Sequence, residues 1–504
     1  MRYTIPKSDS TEWDKRAPRW FVWLGLIALA GYALFLAANS AAVAAGPDSS
    51  GYFNSARLLA AGEFRTKLRV PPEFGSQAEV NSAHFSPLGF KLFPHHPDLV
   101  PSYPTGLPLH FAIAGKLFGW EVGPFVVQLL AAVGAVWLCY LVARELGVGF
   151  RLAGAGAAML AVFPVFIFTS IQTLSDTLAT TWALGAFFCA LRARVSRRWN
   201  AAGGAALAMA VLVRPTNALL APALIVLLGL DARRLAFFVL GGLPGAVWLA
   251  LYNHHLYGGA LRSGYGSVGE AFALHYGVPT AVHFARWLAL MLPAVLLVLP
   301  FAALRCQETR GRKLFALGLA FTAIVGVYLF YDVSHDVWWC LRFILPAVAA
   351  LILAGLLGTE ALARGPGARW PRAFRPVMAA GLTVWALALS WYWVRDLHVL
   401  YVPRYERAYG GAAQMVRERL PDNALVVCSV LTGTLYYYTD FPTLVYDSIT
   451  PGEFARYVSL ARSAGRPIYA AIFNIEEDEV LRTRCPGEWK RLASVDNIGL
   501  WQLQ

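Results

Sequence analysis

The sequence predicts an α-helical polytopic membrane protein of about eleven transmembrane helices, with a small exported α/β domain at its C-terminal end. Three observations carry this expectation. Apolar residues make up 57% of the 504 residues and charged residues only 14%, where ordinary soluble domains carry about 25%. The apolar residues gather into blocks of roughly 20, the length that crosses a ~30 Å hydrocarbon core. After residue 398 the blocks stop, and short apolar runs alternate with amphipathic helical stretches.

The first block, Trp20 to Ala45, follows a tail (1–19) containing Lys7, Lys15, Arg16 and Arg19. A cleaved signal peptide has a shorter apolar stretch of about 7–15 residues, so this block reads as a retained helix that starts on the cytoplasmic side. Further spans are predicted at 122–143, 152–170, 177–191, 200–213, 217–230, 235–256, 285–304, 314–333, 339–362 and 376–396. Pro215, in RPTN, separates the short pair 200–213 and 217–230, because an interior proline removes a helix hydrogen bond. The apolar stretch 105–119 is too short for a full crossing and is expected to form an interfacial or re-entrant helix.

Cytoplasmic loops carry an excess of Lys and Arg. Basic clusters occur at Arg144/Arg151, 192–198, 231–234, 305–313 and 364–375, and between them lie segments poor in Lys and Arg. Eleven spans place every basic cluster inside and every poor segment outside, with the N-terminus cytoplasmic and the C-terminal domain extracytoplasmic. The net charge of +13 is then a topology signal. No soluble face interleaves basic and aromatic residues as nucleic-acid binding requires, so no nucleic-acid partner is expected.

The predicted organisation is a tail (1–19), a transmembrane domain (20–397) with a large first loop (46–104), and an exported domain (398–504). In the last, AAQMVRERL reads as a helix, ALVVCSV, TLVYDS and PIYAAIFN as strands, EFARYVSLARSAG as a helix, and WKRLASV and LWQLQ as closing strands. It has no Walker-type or GxGxxG loop, and a docking or structural role is expected. Cys428 and Cys485 share this domain and can pair in an oxidising compartment.

The chemistry-bearing residues sit at the outer membrane surface. Asp48 follows the first span directly, in a stretch whose Tyr52, Phe53, Leu58, Leu59 and Phe64 suit a helix lying along the interface. A carboxylate there meets both water and lipid head groups; a plain N-cap accounts for it as well. Asp176, in LSDT, lies on the same side with the same two readings. Together the two acids can bind a divalent cation such as Mg or Mn, or divide roles as base and orienting group.

The stretch 81–119 concentrates His84, Lys91, His95, His96, Asp98 and Tyr103, cations for a phosphate and a ring to stack on a sugar; incidental histidines in a solvated loop are the alternative. Arg342 lies just inside the outer end of a late span, near His335 and Asp336. Arginine within a span is costly and is commonly paired or functional, and its fork matches phosphate oxygens. Arg214, before Pro215, is a similar outward-facing arginine.

In this order over roughly 46–350, the pattern resembles the GT-C superfamily of membrane glycosyltransferases, especially the branch of protein O-mannosyltransferases and lipid A aminoarabinose transferases. The points of match are Asp48 followed by Tyr52 and Ala-Arg-Leu-Leu-Ala-Ala-Gly (56–62), and Tyr-Pro-Thr-Gly-Leu-Pro (103–108) leading to Leu-Phe-Gly (117–119). Leu-Ser-Asp (174–176), Arg214-Pro215 and Arg-Phe-Ile-Leu-Pro (342–346) complete them. Many relatives carry two adjacent acids at the first position, whereas here Ser49 and Ser50 follow Asp48.

The resemblance implies a GT-C-like fold, a polyprenyl-phosphate sugar donor, and a glycan, lipid or protein acceptor arriving from outside. It implies Asp48 as the catalytic acid that accepts the acceptor's proton in an inverting displacement, with Asp176 at the second acidic position. Arg342, Lys91 and Arg214 are the candidates for the donor phosphate, and His84, His96, Tyr103 and His335 for the rest of the substrate. The expected location is the plasma (inner) membrane of a bacterium, among membrane lipids. A transporter or lipid-linked glycan flippase is the alternative, although internal repeats and midspan charges typical of transporters are scarce.

Overall fold

The computed structural model describes residues 17–75, 80–92, 98–266, 271–304, 311–364 and 373–504. An apolar first helix, α1 (Arg19–Asn39), leads through an extended segment into α2 (Gly46–Ala61). A short antiparallel ribbon, β1 (Phe90–Leu92) and β2 (Leu99–Pro101), follows. The helical bundle continues with α3 (Gly106–Phe118), α4 (Gly123–Leu146), α5 (Phe150–Val162), α6 (Pro164–Ser170), α7 (Ser175–Leu191), α8 (Arg197–Val213), α9 (Ala221–Leu228) and α10 (Ala232–Tyr257). It closes with α11 (Gly277–Met291), α12 (Leu299–Ala303), α13 (Arg312–Tyr328), α14 (Leu345–Arg364) and α15 (Phe374–Asp396).

Among the described residues, five helices are long and apolar enough to cross a membrane: α1, α4, α10, Trp338–Arg364 and α15. The pair α5 and α6, bent by 61°, makes a sixth if it is one span. The protein is therefore a multi-pass membrane protein, but length and composition do not mark eleven straight spans. Proline breaks some of the expected spans, while α7, α8 and α13 are 17 residues each. Pro164 opens α6 at the bend, Pro215 opens a 3-10 turn (Pro215–Leu220) between α8 and α9, and Pro293 and Pro300 divide the block expected at 285–304.

The centre of the bundle is α14, whose sequence LPAVAALILAGLLG is apolar on every side and buried on every side. Small residues let its neighbours come close: a Cβ on Gly358 would collide with the backbone of Leu299 at the start of α12. At the opposite end, buried Glu360 accepts from the Gly149 N–H at 2.7 Å and pairs with Arg375 at 3.0 Å and Arg364 at 3.3 Å. A buried carboxylate persists because it is matched in this way.

The C-terminal part comprises α16 (Val402–Arg419), β3 (Leu425–Cys428), α17 (Thr432–Tyr438), β4 (Thr443–Val445), α18 (Pro451–Ser463), β5 (Ile468–Phe473), β6 (Trp489–Val495) and β7 (Ile498–Leu503). The sheet order is β4-β3-β5-β7-β6, with β3 parallel to β4 and β5, and β7 antiparallel to β5 and β6. Every strand and both helices expected here are present. A capping box of Thr450 and Glu453 starts α18.

Alternate strand residues point to opposite faces. Leu425 and Val427 pack toward Phe454 of α18, while Val426 and Cys428 pack toward Val416 of α16. Cys485 belongs to the first of these cores and Cys428 to the second, and both are free thiols. The pairing that the sequence left open does not form because the sheet lies between them.

Helix α2 packs into protein: Tyr52, Phe53 and Ala56 are buried against Leu107 and Phe111 of α3 and Tyr437 of α17. Further along the first loop, Leu68, Phe74, Phe85, Phe90 and Leu99 share one core with Leu425, Val427 and Ile468. Loop 46–104 and the C-terminal domain are thus one packed layer, divided in the chain and continuous in space.

Candidate active site

The cluster starts where α2 begins. Pro47 suits the first helical turn and Asp48 follows it, yet Asp48 is no cap: the capping position is Ala45, with no side-chain bond. The Asp48 carboxylate instead accepts from Arg342 Nη2 at 2.8 Å. Burial alone would raise its pKa, but Arg342, a hydrogen bond from Tyr103 and the charge of Arg214 outweigh it and hold the carboxyl below its usual range. A carboxylate so engaged is a weakened base. About 30% of its side chain remains exposed, enough to meet a substrate.

Asp176, on the first turn of α7, is no cap either, since Leu174 holds that position. Its side chain is 1% exposed, with Oδ1 3.0 Å from Arg214 Nη2. The contact is a charge pair without hydrogen-bond alignment. Arg214 stands at the break before Pro215, where α8 must stop. Its Nε donates to Ser175 Oγ at 3.3 Å, and the Tyr52 hydroxyl donates to the same oxygen at 3.1 Å.

Arg342 belongs to the 3-10 turn Trp338–Ile344 that precedes α14. Both guanidiniums lie 5.2 Å from the ring centroid of Phe343, so the two acid–arginine pairs form a single cluster. Arg342 Nε and Arg214 Nη1 are buried without a hydrogen-bond partner. Buried donors normally find partners, and these two remain available to an incoming anion.

Tyr103 closes the cluster. Its ring lies 4.9 Å from Tyr52 and 6.2 Å from Tyr265. A Cβ on Gly51 would strike this ring, so only glycine lets α2 and Tyr103 come together. Burial first, then the charge of Asp48, raises the Tyr103 hydroxyl well above its ordinary pKa and keeps it a donor. Lys91 on β1 is exposed, with Nζ 3.8 Å from the position a Cβ on Gly266 would take, beside Tyr265. It has no ion-pair partner among the described residues.

Of the nine residues expected in the site, the structure gathers Asp48, Asp176, Arg342, Arg214 and Tyr103, with Lys91 at the rim. His84 is elsewhere: it is buried under the C-terminal domain, hydrogen-bonded to the Tyr457 hydroxyl at 2.9 Å and 3.7 Å from Glu453. It staples the two parts of the shared core. His335 contacts Thr280 at 3.4 Å and the Tyr276 ring, outside the cluster. His96 lies outside the described residues. The sequence reading missed Ser175, Phe343 and Tyr265; the first two adjoin residues it named, while Tyr265 sits between α10 and α11 in a stretch without a motif.

The donor set does not suit the divalent cation that the sequence allows Asp48 and Asp176 to share. Each carboxylate faces a guanidinium, and an ion between them would sit beside two fixed positive charges. No group of three or more His, Cys, Asp or Glu side chains suited to a metal occurs among the described residues.

The family pattern described as dolichyl-phosphate-mannose-protein mannosyltransferase matches residues 98–257. Among solved structures, ArnT from Cupriavidus metallidurans bound to undecaprenyl phosphate is 15% identical at TM-score 0.59, covering 96% of this chain and 98% of that chain. Arabinofuranosyltransferase AftD from Mycobacteria is 16% identical at TM-score 0.56, covering 97% of this chain and 40% of that one. Archaeal oligosaccharyltransferase AglB from Archaeoglobus fulgidus, in complex with an inhibitory peptide and a dolichol-phosphate, is 14% identical at TM-score 0.53, covering 92% and 70%. No curated protein matches the sequence. At these identities the likeness shows the fold, which is the GT-C fold, C-terminal domain included.

Proposed function

We propose that this protein is a glycosyltransferase that moves a sugar from a polyprenyl-phosphate donor to an acceptor hydroxyl at the extracytoplasmic face, with inversion. The observation that carries the reading is the pair of arginines, Arg342 and Arg214, gathered at one Phe343 ring. Each is anchored by its own aspartate, and each keeps a buried N–H unspent. Such a fork pair suits a phosphate. Solved proteins of this fold bind undecaprenyl phosphate and dolichol-phosphate, and the matching family pattern describes a dolichyl-phosphate-mannose donor.

The acceptor oxygen attacks the anomeric carbon and the carbon–oxygen bond to phosphate breaks, leaving polyprenyl phosphate. Negative charge grows on the departing phosphate, where fixed donors matter most. Arg342 and Arg214 meet it inside and Lys91 at the rim. Asp48, held by Arg342 and Tyr103, orients the attacking hydroxyl. Asp176 is buried and positions Arg214. The C-terminal domain, seated on α2, forms the outer wall past which a glycan, lipid or protein acceptor approaches from outside a bacterial inner membrane.

The test is purified protein in lipid discs, offered a panel of polyprenyl-phosphate sugars, with release of polyprenyl phosphate as the readout. Release by the wild type and its loss in folded Asp48→Asn support the reading. Movement of the intact lipid-linked sugar between leaflets, without release, would establish the flippase alternative instead.

A further inference from the structure

The transferase reading leaves one chemical need unmet: the acceptor's proton must go somewhere, and Asp48 is tied to Arg342 and Tyr103. Another carboxylate approaches from the C-terminal side. Helix α16 runs along the extended segment before α2. A Cβ on Gly410 would sit 3.3 Å from Val43, and the Tyr409 hydroxyl is 3.9 Å from where a Cβ on Gly46 would be. Glu406 lies three and four residues before these two contacts, so it occupies the same helix face one turn away.

We propose that Glu406 is a second carboxylate of the reaction site, one that takes the proton from the acceptor hydroxyl while Asp48 orients that hydroxyl. The inference rests on the transferase reading. The acceptor O–H bond breaks with its proton passing to Glu406, the new oxygen–carbon bond forms, and the electrons of the broken bond leave with the phosphate.

Three observations support the assignment. Glu406 is half-buried and makes no hydrogen bond or ion pair among the described residues, so its carboxylate is not engaged elsewhere. Its neighbours leave it so. Of the charged and titratable groups on segments packed against α16, Asp496 in the β6–β7 turn pairs with Arg404 at 3.6 Å, and Arg491 on β6 lies 4.0 Å from Glu477. Tyr438 on α17 accepts from the Ala44 N–H, and the His398 ring lies against Tyr401. Finally, burial and then the charge of Asp48 push the Glu406 carboxyl up to about 7. A base works best with a pKa near the working pH, and Glu406 meets this where Asp48 does not.

The experiment compares wild type, Glu406→Gln and Glu406→Asp in lipid discs with the donor panel, following polyprenyl-phosphate release against pH. Wild-type kcat/KM is expected to fall on the acidic side with an apparent pKa of about 7. Glu406→Gln should lower kcat about 10²-fold or more, leave donor KM nearly unchanged and lose the acidic limb. Glu406→Asp should keep the limb at reduced kcat, and it reports on the proton even if the glutamine variant fails to fold. A wild-type profile with no limb near neutrality, or a limb unchanged in Glu406→Gln, overturns the assignment. Release by the wild type together with full activity of the variant removes only Glu406's role, whereas no release from any donor removes the transferase reading itself.

Discussion

Arg342 meets Asp48 at 2.8 Å across 294 residues of chain, joining α2, on which the C-terminal domain sits, to the turn that enters the central span. The contact uses Nη2 and leaves Nε unpartnered, so the aspartate sets the guanidinium's orientation without consuming it. The two side chains should therefore fail as a unit. Asp48→Asn is expected to lower kcat by roughly 10²-fold or more, and Arg342→Ala by 10²–10³-fold, about the cost of removing one preorganised donor. The double variant should lose far less than the product of the two, because residues in contact are not additive. Polyprenyl-phosphate release by the three variants checks this; multiplicative losses would mean that the pair acts independently.

Asp176 and Arg214 form the second pair, with a different balance. The aspartate is 1% exposed and touches no substrate in the proposed reaction. Removing it leaves Arg214 buried beside Arg342 with an uncompensated charge, which typically costs about 3–5 kcal/mol. Asp176→Ala should lower thermal stability strongly, and Asp176→Asn should lose donor affinity as Arg214 drifts from its seat on Ser175. An Asp176→Ala protein that melts like the wild type would show that Arg214 is held by something else.

Much of this was legible in sequence for a physical reason. The C-terminal alternation of strands and helices is local patterning, and each element formed where the apolar period placed it. Asp48, Asp176, Arg214 and Arg342 stood out because charge beside an apolar block is expensive and rarely accidental. What stayed hidden was pairing. Which arginine meets which aspartate depends on contacts between separate helices, one of them across 294 residues of chain, and no local pattern encodes them. His84 misled for the same reason: an imidazole in a loop looks like a ligand until Tyr457, from far along the chain, covers it. Glu406 precedes the stretch that reads as a helix, and only the close approach of α16 to the segment before α2 gives it meaning.

The seating of the C-terminal domain is a further point of attack. Asn54 donates to the Gly433 carbonyl at 2.9 Å, Thr434 to the Ala44 carbonyl at 2.7 Å, and the Leu88 N–H to Thr432 at 3.1 Å. A Cβ on Gly433 would meet Ser50 and the Leu88 carbonyl. Backbone cannot yield as a flexible side chain can, so Gly433→Val should lift α17 away from α2. The expected result is loss of turnover, with the membrane bundle still folded and new proteolytic cleavage near residues 397–402. Wild-type activity in that variant would show that the domain's contact with α2 does not shape the site.

Glu406 makes a stability prediction separate from catalysis. Its folded pKa of about 7 lies above the ordinary carboxyl value of about 4.3, so folding favours its protonated form. The resulting contribution is fully present below the unfolded pKa and is lost as pH rises through about 7. Asp48 has the opposite sign: its depressed pKa contributes above the ordinary carboxyl range and is lost only in stronger acid, so the two windows do not overlap. Glu406→Gln, neutral at every pH, should match the wild type near pH ~4 and melt at a higher temperature than it near pH ~8. A residue whose removal stabilises the fold at neutral pH while abolishing turnover is one kept for chemistry. Melting curves that run parallel across that range would place Glu406 in solvent, and with it would go the reason for its raised proton affinity.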